Sequence, residues 1–256
     1  MSGVTGHVGR ALIPAIIDDP EFELTGAVSR SAAGEAIGGI TVSATLDQAL
    51  ASAPADVLID YTAPEAALAH IETALVNGVS VVLGTTGLSA AQFEVIDSRA
   101  KELGVGVVTG NFSLTAALLQ HFALFAARHL DHWEVIDACK ADKPDAPSGT
   151  ARELAEHLAA VKKPNQVVPI GEVHGLAAAR GADVDGVQCH SLRLPGFLSS
   201  VEVIFGLEGE RLSLRHEAIS QGQPFVAGSL LAARKVGTIS GVVRGLDALL
   251  FGDQPL

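Results

Sequence analysis

The chain has 256 residues and carries 29 acidic against 17 basic side chains, a formal net charge of −12 that argues against a nucleic-acid or anionic-membrane surface. Apolar residues make up 48% and charged ones 18%, which allows a sizeable core and excludes a disordered chain. The two cysteines, Cys139 and Cys189, give neither a disulfide framework nor a zinc pattern and fit a reducing cytoplasm. There is no signal peptide or membrane-spanning run, because the most apolar stretch, 114–130, is interrupted by Gln120-His121 and Arg128-His129.

The first recognisable feature is Gly3-Val4-Thr5-Gly6-His7-Val8-Gly9, a glycine spacing that suits a dinucleotide-binding turn running into a helix. Such a turn follows a central strand, yet only Met1-Ser2 stand before it. The next helix is expected over 8–17, bent or shortened by Pro14. A strand is expected over 22–28, ending at Ser29-Arg30-Ser31. In dinucleotide sites an acid at this point binds the ribose hydroxyls, whereas an arginine accommodates a 2′-phosphate. The acid is absent and Arg30 lies between two hydroxyls, so NADPH is the expected cofactor, with NADH as an alternative.

Strands over 57–61, 79–83 and 106–108 then alternate with helices over 64–77 and 89–103. This order implies a parallel sheet with helices on both faces. Ligands bind such sheets at the carboxyl ends of the strands. Tyr61-Thr62, Gly84-Thr85-Thr86-Gly87 and Gly110-Asn111-Phe112-Ser113 all fall at those ends. After a helix over 113–130 the pattern becomes antiparallel in character, with strands over 133–138, 167–170, 187–193, 199–207 and 211–217. A helical segment over 225–250 returns to the first domain. The expected division is a dinucleotide-binding domain over 1–112 and 225–256, and a second α+β domain over 113–224.

Between the strand at 133–138 and the next helix lies Cys139-Lys140-Ala141-Asp142-Lys143-Pro144-Asp145-Ala146-Pro147-Ser148-Gly149-Thr150. Thr150-Ala151-Arg152-Glu153 reads as a capping box. A helix start with free backbone N–H groups suits an anion, Gly149 allows close approach, and Lys140 and Lys143 add positive charge just upstream. An ordinary capped loop fits these residues equally well.

Taken together, the turn from Gly3 to Gly9, Gly84-Thr85-Thr86-Gly87, Asn111-Phe112-Ser113, Lys143-Pro144-Asp145-Ala146-Pro147-Ser148-Gly149-Thr150-Ala151 and Cys189-His190-Ser191-Leu192-Arg193 resemble the dihydrodipicolinate reductase family of lysine and diaminopimelate biosynthesis. The resemblance spans nearly the whole chain. It implies a Rossmann domain, a substrate domain that also builds a homotetramer, and a cytoplasmic reductase that delivers hydride from NAD(P)H to a cyclic imine dicarboxylate, a small anionic substrate. It places Gly84-Thr85-Thr86 and Asn111-Phe112 around the nicotinamide half of the cofactor; the residues themselves add the turn with Gly3, Gly6, His7, Val8 and Gly9, the loop Ser29-Arg30-Ser31, where Ser29 replaces the family's ribose-binding acid, and Thr62 as expected cofactor contacts. The resemblance places the substrate carboxylate on the backbone of Gly149 and Thr150, with Ser148 a further substrate-binding candidate, and makes Lys143 the proton donor. Family members carry a His-His pair where this chain has Cys139-Lys140, so Cys139 stands at the position of a proton donor and Lys140 at that of a substrate contact. His216 is present, but Gln221 replaces a common arginine. A related cyclic imine or amine as substrate, or a non-catalytic NADPH-binding role, are the alternatives these departures raise.

Overall fold

In the computed structural model, which describes residues 1–85 and 87–252, the chain forms two compact units. The first takes in Met1–Ala117 and the return segment from Gln221; the second is Leu118–Ser220. The glycine turn leads into α1 (His7–Asp18), which runs through Pro14 without a break. A small hairpin of β1 (Ala36–Ile37) and β2 (Ile40–Thr41) follows, then α2 (Leu46–Ser52), capped by the Thr45 hydroxyl. The alternation then unfolds as β3 (Val57–Asp60), α3 (Pro64–Val76), β4 (Ser80–Leu83), α4 (Ala90–Leu103) and β5 (Gly106–Thr109). Both β4 and β5 are buried along their whole length, the pattern of a parallel sheet covered on both faces. Helix α4 begins with a full capping box between Ser89 and Gln92 and ends at Gly104 in the left-handed conformation.

The expected strand over 22–28 does not form. A strand needs a bonded neighbour along its length, and Met1-Ser2 meets only the end of this segment: the Met1 amino group donates to the Gly26 carbonyl, Val28 donates to the Met1 carbonyl and Gly3 donates to the Val28 carbonyl. Ser2 bridges in parallel to both Asp60 and Val28, and Val28 bridges to Ser43. One fully buried residue, Ser2, therefore occupies the sheet position next to β3 where the turn's leading strand belongs.

The segment over 225–250 is not one helix. It divides into α7 (Val226–Val236), β11 (Gly241–Arg244) and α8 (Leu246–Phe251). Gly241 and Gly245, both at φ near +90°, bracket a β-branched pair that adds a parallel strand beside β5. The sheet order is β11-β5-β4-β3, all parallel, so the first unit is a Rossmann-type α/β fold.

Helix α5 (Leu114–Ala127) carries the chain into the second unit. There β6 (His132–Cys139) is followed by α6 (Gly149–Val161), β7 (Ala182–Val184), β8 (Val187–Arg193), β9 (Ser199–Leu207) and β10 (Glu210–Ala218). The mixed sheet runs β10-β9-β6-β8-β7, with β6 and β8 parallel and the other pairs antiparallel. Side chains alternate across it. Trp133, Val135, Val201, Val203 and Phe205 pack on Leu154 and Leu158 of α6, while Glu134, Ile136 and Ile204 lie on the other face, half-buried. The strand expected over 167–170 is absent: Val167 is exposed and Ile170–Glu172 form a 3-10 turn. No described helix is long and apolar enough to cross a membrane.

Candidate active site

The turn from Gly3 to Gly9 is built for close backbone approach. Gly3 sits at φ +79°, and a Cβ there would lie 2.4 Å from the Tyr61 carbonyl oxygen. A Cβ on Gly9 would lie 2.2 Å from the Gly3 carbonyl oxygen. Gly6 donates to that same oxygen at 3.0 Å, and Arg10 makes the first helical bond back to Gly6. The backbone N–H groups of His7, Val8 and Gly9 therefore open α1 with no intrahelical acceptor, an arrangement that suits a pyrophosphate. Beside the turn, Ser29 Oγ lies 3.3 Å from Thr5 Oγ1 and 3.2 Å from Ser31 Oγ, and the Arg30 side chain is exposed next to this hydroxyl cluster. A cradle that no Cβ could share, a free helix start and a hydroxyl cluster with an arginine fit a dinucleotide.

At the ends of β3 and β4 the organiser is a residue the sequence reading did not single out. Asp60 is fully buried and accepts from Thr62 N at 2.9 Å, Thr62 Oγ1 at 2.6 Å, Thr85 Oγ1 at 3.3 Å and His70 Nδ1 at 2.6 Å. Burial pushes its carboxyl up, yet the bonds from His70 and Thr62 outweigh it and hold the group below its ordinary value. Thr85 also donates to the Thr62 carbonyl at 2.9 Å, so the two expected cofactor loops are tied to one carboxylate. Gly84 lies against the Tyr61 ring, where a Cβ would meet Cε1 at 2.0 Å. The Asn111 side chain accepts from Ser113 N at 3.0 Å ahead of α5. The Phe112 side chain is buried in the core with its ring edge-on to Tyr61, so only its backbone is free to meet a cofactor. Thr86 lies outside the described residues.

His70→Ala removes one donor from a buried carboxylate. A loss of roughly 1–3 kcal/mol is expected, read as a lower Tm together with weaker NADPH binding; unchanged cofactor affinity at lowered Tm would assign His70 to stability alone.

On the second unit, the capping residue of α6 is Ser148 rather than Thr150. Its side chain accepts from Ala151 N, and the first helical bond runs from Arg152 N to the Ser148 carbonyl. The box expected from Thr150 to Glu153 falls inside the first turn, because the chain is already helical at Gly149. The N–H groups of Gly149 and Thr150 are thus left open, and a Cβ on Gly149 would meet nothing within 4 Å. The two lysines upstream do not stand free. Lys143 Nζ lies 2.8 Å from Asp145 Oδ1, and the more exposed Lys140 Nζ lies 3.4 Å from Asp142 Oδ1. An arriving carboxylate would compete with these two acids for both ammonium groups.

Cys139 requires a correction. Its side chain is fully buried, and its thiol donates to Asp137 Oδ1 at 3.4 Å. Burial and the neighbouring Asp137 carboxylate push the thiol up from its ordinary value, so it is the wrong group to deliver a proton. His190 on β8 bonds Glu134 on the half-buried sheet face, opposite the face that carries Asp137. His216 is buried, which pushes its imidazole below the ordinary value.

Asp137 is the second organiser that sequence reading missed. Asp60 ends the apolar run Val57-Leu58-Ile59, and Asp137 follows Trp133 and Val135 on the buried phase of β6. A lone acid on the buried phase of a strand was the available signal, since such a group persists only with partners.

Comparison with known proteins agrees with this architecture. Residues 1–112 match the family described as dihydrodipicolinate reductase, N-terminus, and residues 115–250 match dihydrodipicolinate reductase, C-terminus. The 4-hydroxy-tetrahydrodipicolinate reductase of Moorella thermoacetica is 40% identical over 260 residues, covering 98% of this chain and 96% of that protein. That of Desulfitobacterium hafniense strain DSM 10664 / DCB-2 is 37% identical, covering 98% and 97%. A dipicolinate-bound dihydrodipicolinate reductase from Paenisporosarcina sp. TG-14 superposes with a TM-score of 0.86 at 30% identity, covering 96% of each chain. A scyllo-inositol dehydrogenase from Lactobacillus casei, at TM-score 0.62 and 13% identity, shares the fold. With both halves matched in order and a dinucleotide cradle at the glycine turn, the chain belongs to the dihydrodipicolinate reductase family.

Proposed function

We propose that this NAD(P)H-dependent reductase acts on 4-hydroxy-tetrahydrodipicolinate, the substrate named for its relatives, with Lys143 as proton donor and the backbone of Gly149 and Thr150 as carboxylate clamp. The observation that carries the reading is the open start of α6, two unpaired N–H groups directly after a loop that holds Lys143. When bound, the nicotinamide supplies a hydride, and the protein's part is placement of the electrophilic carbon and a proton for the product. Lys143 holds that proton at Nζ, 29% exposed beside Asp145. Ser148 shapes the clamp as its capping residue, and Lys140 supplies a point charge to the substrate rather than a directed imidazole bond. The experiment is NADPH consumption with freshly generated substrate: turnover supports the reading, and intact NADPH binding without turnover removes this substrate.

The burial of Cys139 favours a second reading, in which the substrate is a related cyclic imine that needs no acid at that position. The double variant Cys139→His, Lys140→His raises activity on 4-hydroxy-tetrahydrodipicolinate if this reading holds, and leaves it unchanged or lower otherwise.

For the cofactor, the hydroxyl cluster of Thr5, Ser29 and Ser31 beside the exposed Arg30 supports NADPH over NADH. Arg30→Ala is expected to weaken NADPH by on the order of tenfold, as loss of a charge-assisted phosphate contact does, with little change for NADH. Equal losses for both would show that Arg30 does not read the 2′-phosphate. A homotetramer belongs to the same proposal; the half-buried sheet face bearing Ile136, Ile204 and Leu192 supports a partner there.

A further inference from the structure

The start of α6 is held from beneath by a buried ion pair. Asp137 Oδ2 accepts from Ser148 N at 2.9 Å, Ser191 Oγ at 3.2 Å and Arg193 Nη2 at 2.7 Å, while Oδ1 takes the Cys139 thiol. The Asp137 side chain is 0% exposed and that of Arg193 16%. Arg193 Nη2 also donates to the Asp145 carbonyl, and its Nη1 to the Leu192 carbonyl at 2.7 Å. One carboxylate and one guanidinium therefore connect β6, β8, the Lys143–Asp145 loop and the first turn of α6.

The register of the sheet explains how this is possible. Strands β6 and β8 are parallel, with Asp137 opposite Ser191 and Cys139 opposite Arg193. Residues 137, 139, 191 and 193 thus share one face, the face on which α6 packs. An isolated carboxylate beside Gly149 and Thr150 would repel an anion bound there. Arg193 removes that repulsion and still leaves Asp137 free to take the Ser148 N–H, which fixes where the next two N–H groups point. The bonds from Ser148 and Arg193 overcome the burial that opposes ionisation and hold the Asp137 carboxyl below its ordinary value.

We infer that Asp137 and Arg193 are a positioning pair for the substrate carboxylate: Asp137 aims the open N–H groups of α6, and Arg193 neutralises Asp137 so that an anion can approach them. This rests on the substrate clamp proposed above. A purely structural pair would lower stability when either member is lost and leave anion affinity in the folded protein alone.

The test uses the full chain with dipicolinate as the probe, since a relative's structure holds that molecule. Dissociation constants for dipicolinate and for NADPH are measured by titration calorimetry, with Tm alongside, for the parent, Arg193→Gln, and Arg193→Gln combined with Asp137→Asn. Arg193→Gln strands a negative charge beside the clamp and is expected to weaken dipicolinate by on the order of tenfold or more, with NADPH affinity unchanged. Adding Asp137→Asn removes that charge and is expected to recover part of the dipicolinate affinity. The inference is overturned if Arg193→Gln leaves dipicolinate affinity at the parental value. It is also overturned if the affinities for both ligands fall together with Tm and the double variant recovers neither. A parent that binds NADPH but no dipicolinate rejects the proposed clamp itself, an outcome distinct from variants that bind like the parent.

Discussion

Replacing Lys143 by methionine is expected to lower kcat on the proposed substrate by roughly a hundred- to ten-thousand-fold, the range general-acid groups contribute, with NADPH affinity unchanged. The expectation rests on the proposed role of Lys143, which the other groups at the start of α6 are less suited to fill. Cys139 is buried and its thiol is turned to Asp137. The Arg193 guanidinium is committed to Asp137. Lys140 is further exposed and leans on Asp142, while Lys143 sits half-buried at the entry to the clamp. Methionine keeps the length and apolar body of the stem, so loss of packing is not a confounding cause. Lys140→Met is the control: it should raise KM more than it lowers kcat, as expected of a group that binds substrate equally in the ground and transition states. Single-turnover hydride transfer, followed by loss of NADPH absorbance, separates the two. A Lys143→Met enzyme with parental kcat would move the proton to solvent and leave Lys143 as a binding group.

Much of this arrangement was legible in the sequence because it rests on local rules. The glycine spacing, the alternation of apolar runs with helical periodicity and the Ser-Gly-Thr helix start are short-range signals, and each stands near where it was expected. The misreadings are of another kind. The segment 22–28 has strand-like composition, but a strand exists only with a bonded neighbour along its length, and Met1-Ser2 supply one only at its end, for Gly26 and Val28. The segment 225–250 is alanine- and leucine-rich enough to read as helix, yet Val242 and Val243 find the open edge of β5, and Asp97 Oδ1 takes the Val242 N–H at 2.8 Å. Val167-Val168 reads as strand by composition but forms a bend and pairs with no described strand. Tertiary pairing overrides propensity in all three cases.

The site shows the same division. Residues that expose backbone, Gly3, Gly9, Gly149 and Thr150, announced themselves by residue type. The two aspartates that hold the loops did not, because what each does depends on partners far away in sequence: His70 and Thr85 for Asp60, Ser191 and Arg193 for Asp137. Cys139 was misassigned for a related reason. Position in a motif suggested chemistry, but strand phase decides which way the side chain faces, and its phase is that of Asp137 and Val135.

Glycine to alanine at two positions separates the two ligand sites, with opposite effects on the fold. At Gly9 the new methyl would lie 2.2 Å from the Gly3 carbonyl oxygen and 2.8 Å from Val4 Cα, both backbone atoms that cannot swing aside. Either the turn opens or α1 shifts, at a cost of roughly 1–3 kcal/mol, and the N–H groups of His7, Val8 and Gly9 no longer converge. NADPH affinity should fall by roughly five- to a hundred-fold, the binding equivalent of such a strain energy. At Gly149 a methyl meets nothing within 4 Å, and the backbone there is helical. Alanine at that position should leave the fold intact or stabilise it by roughly 0.4–1 kcal/mol through the unfolded state. Its effect should appear only in substrate binding, because the methyl occupies space beside the open N–H groups where a carboxylate must come. The expected pattern is lower Tm and weak NADPH binding for Gly9→Ala, against equal or higher Tm, normal NADPH binding and a raised KM for Gly149→Ala. If Gly149→Ala leaves KM at the parental value, the substrate carboxylate does not sit on the start of α6, and the clamp must be sought elsewhere on the second unit.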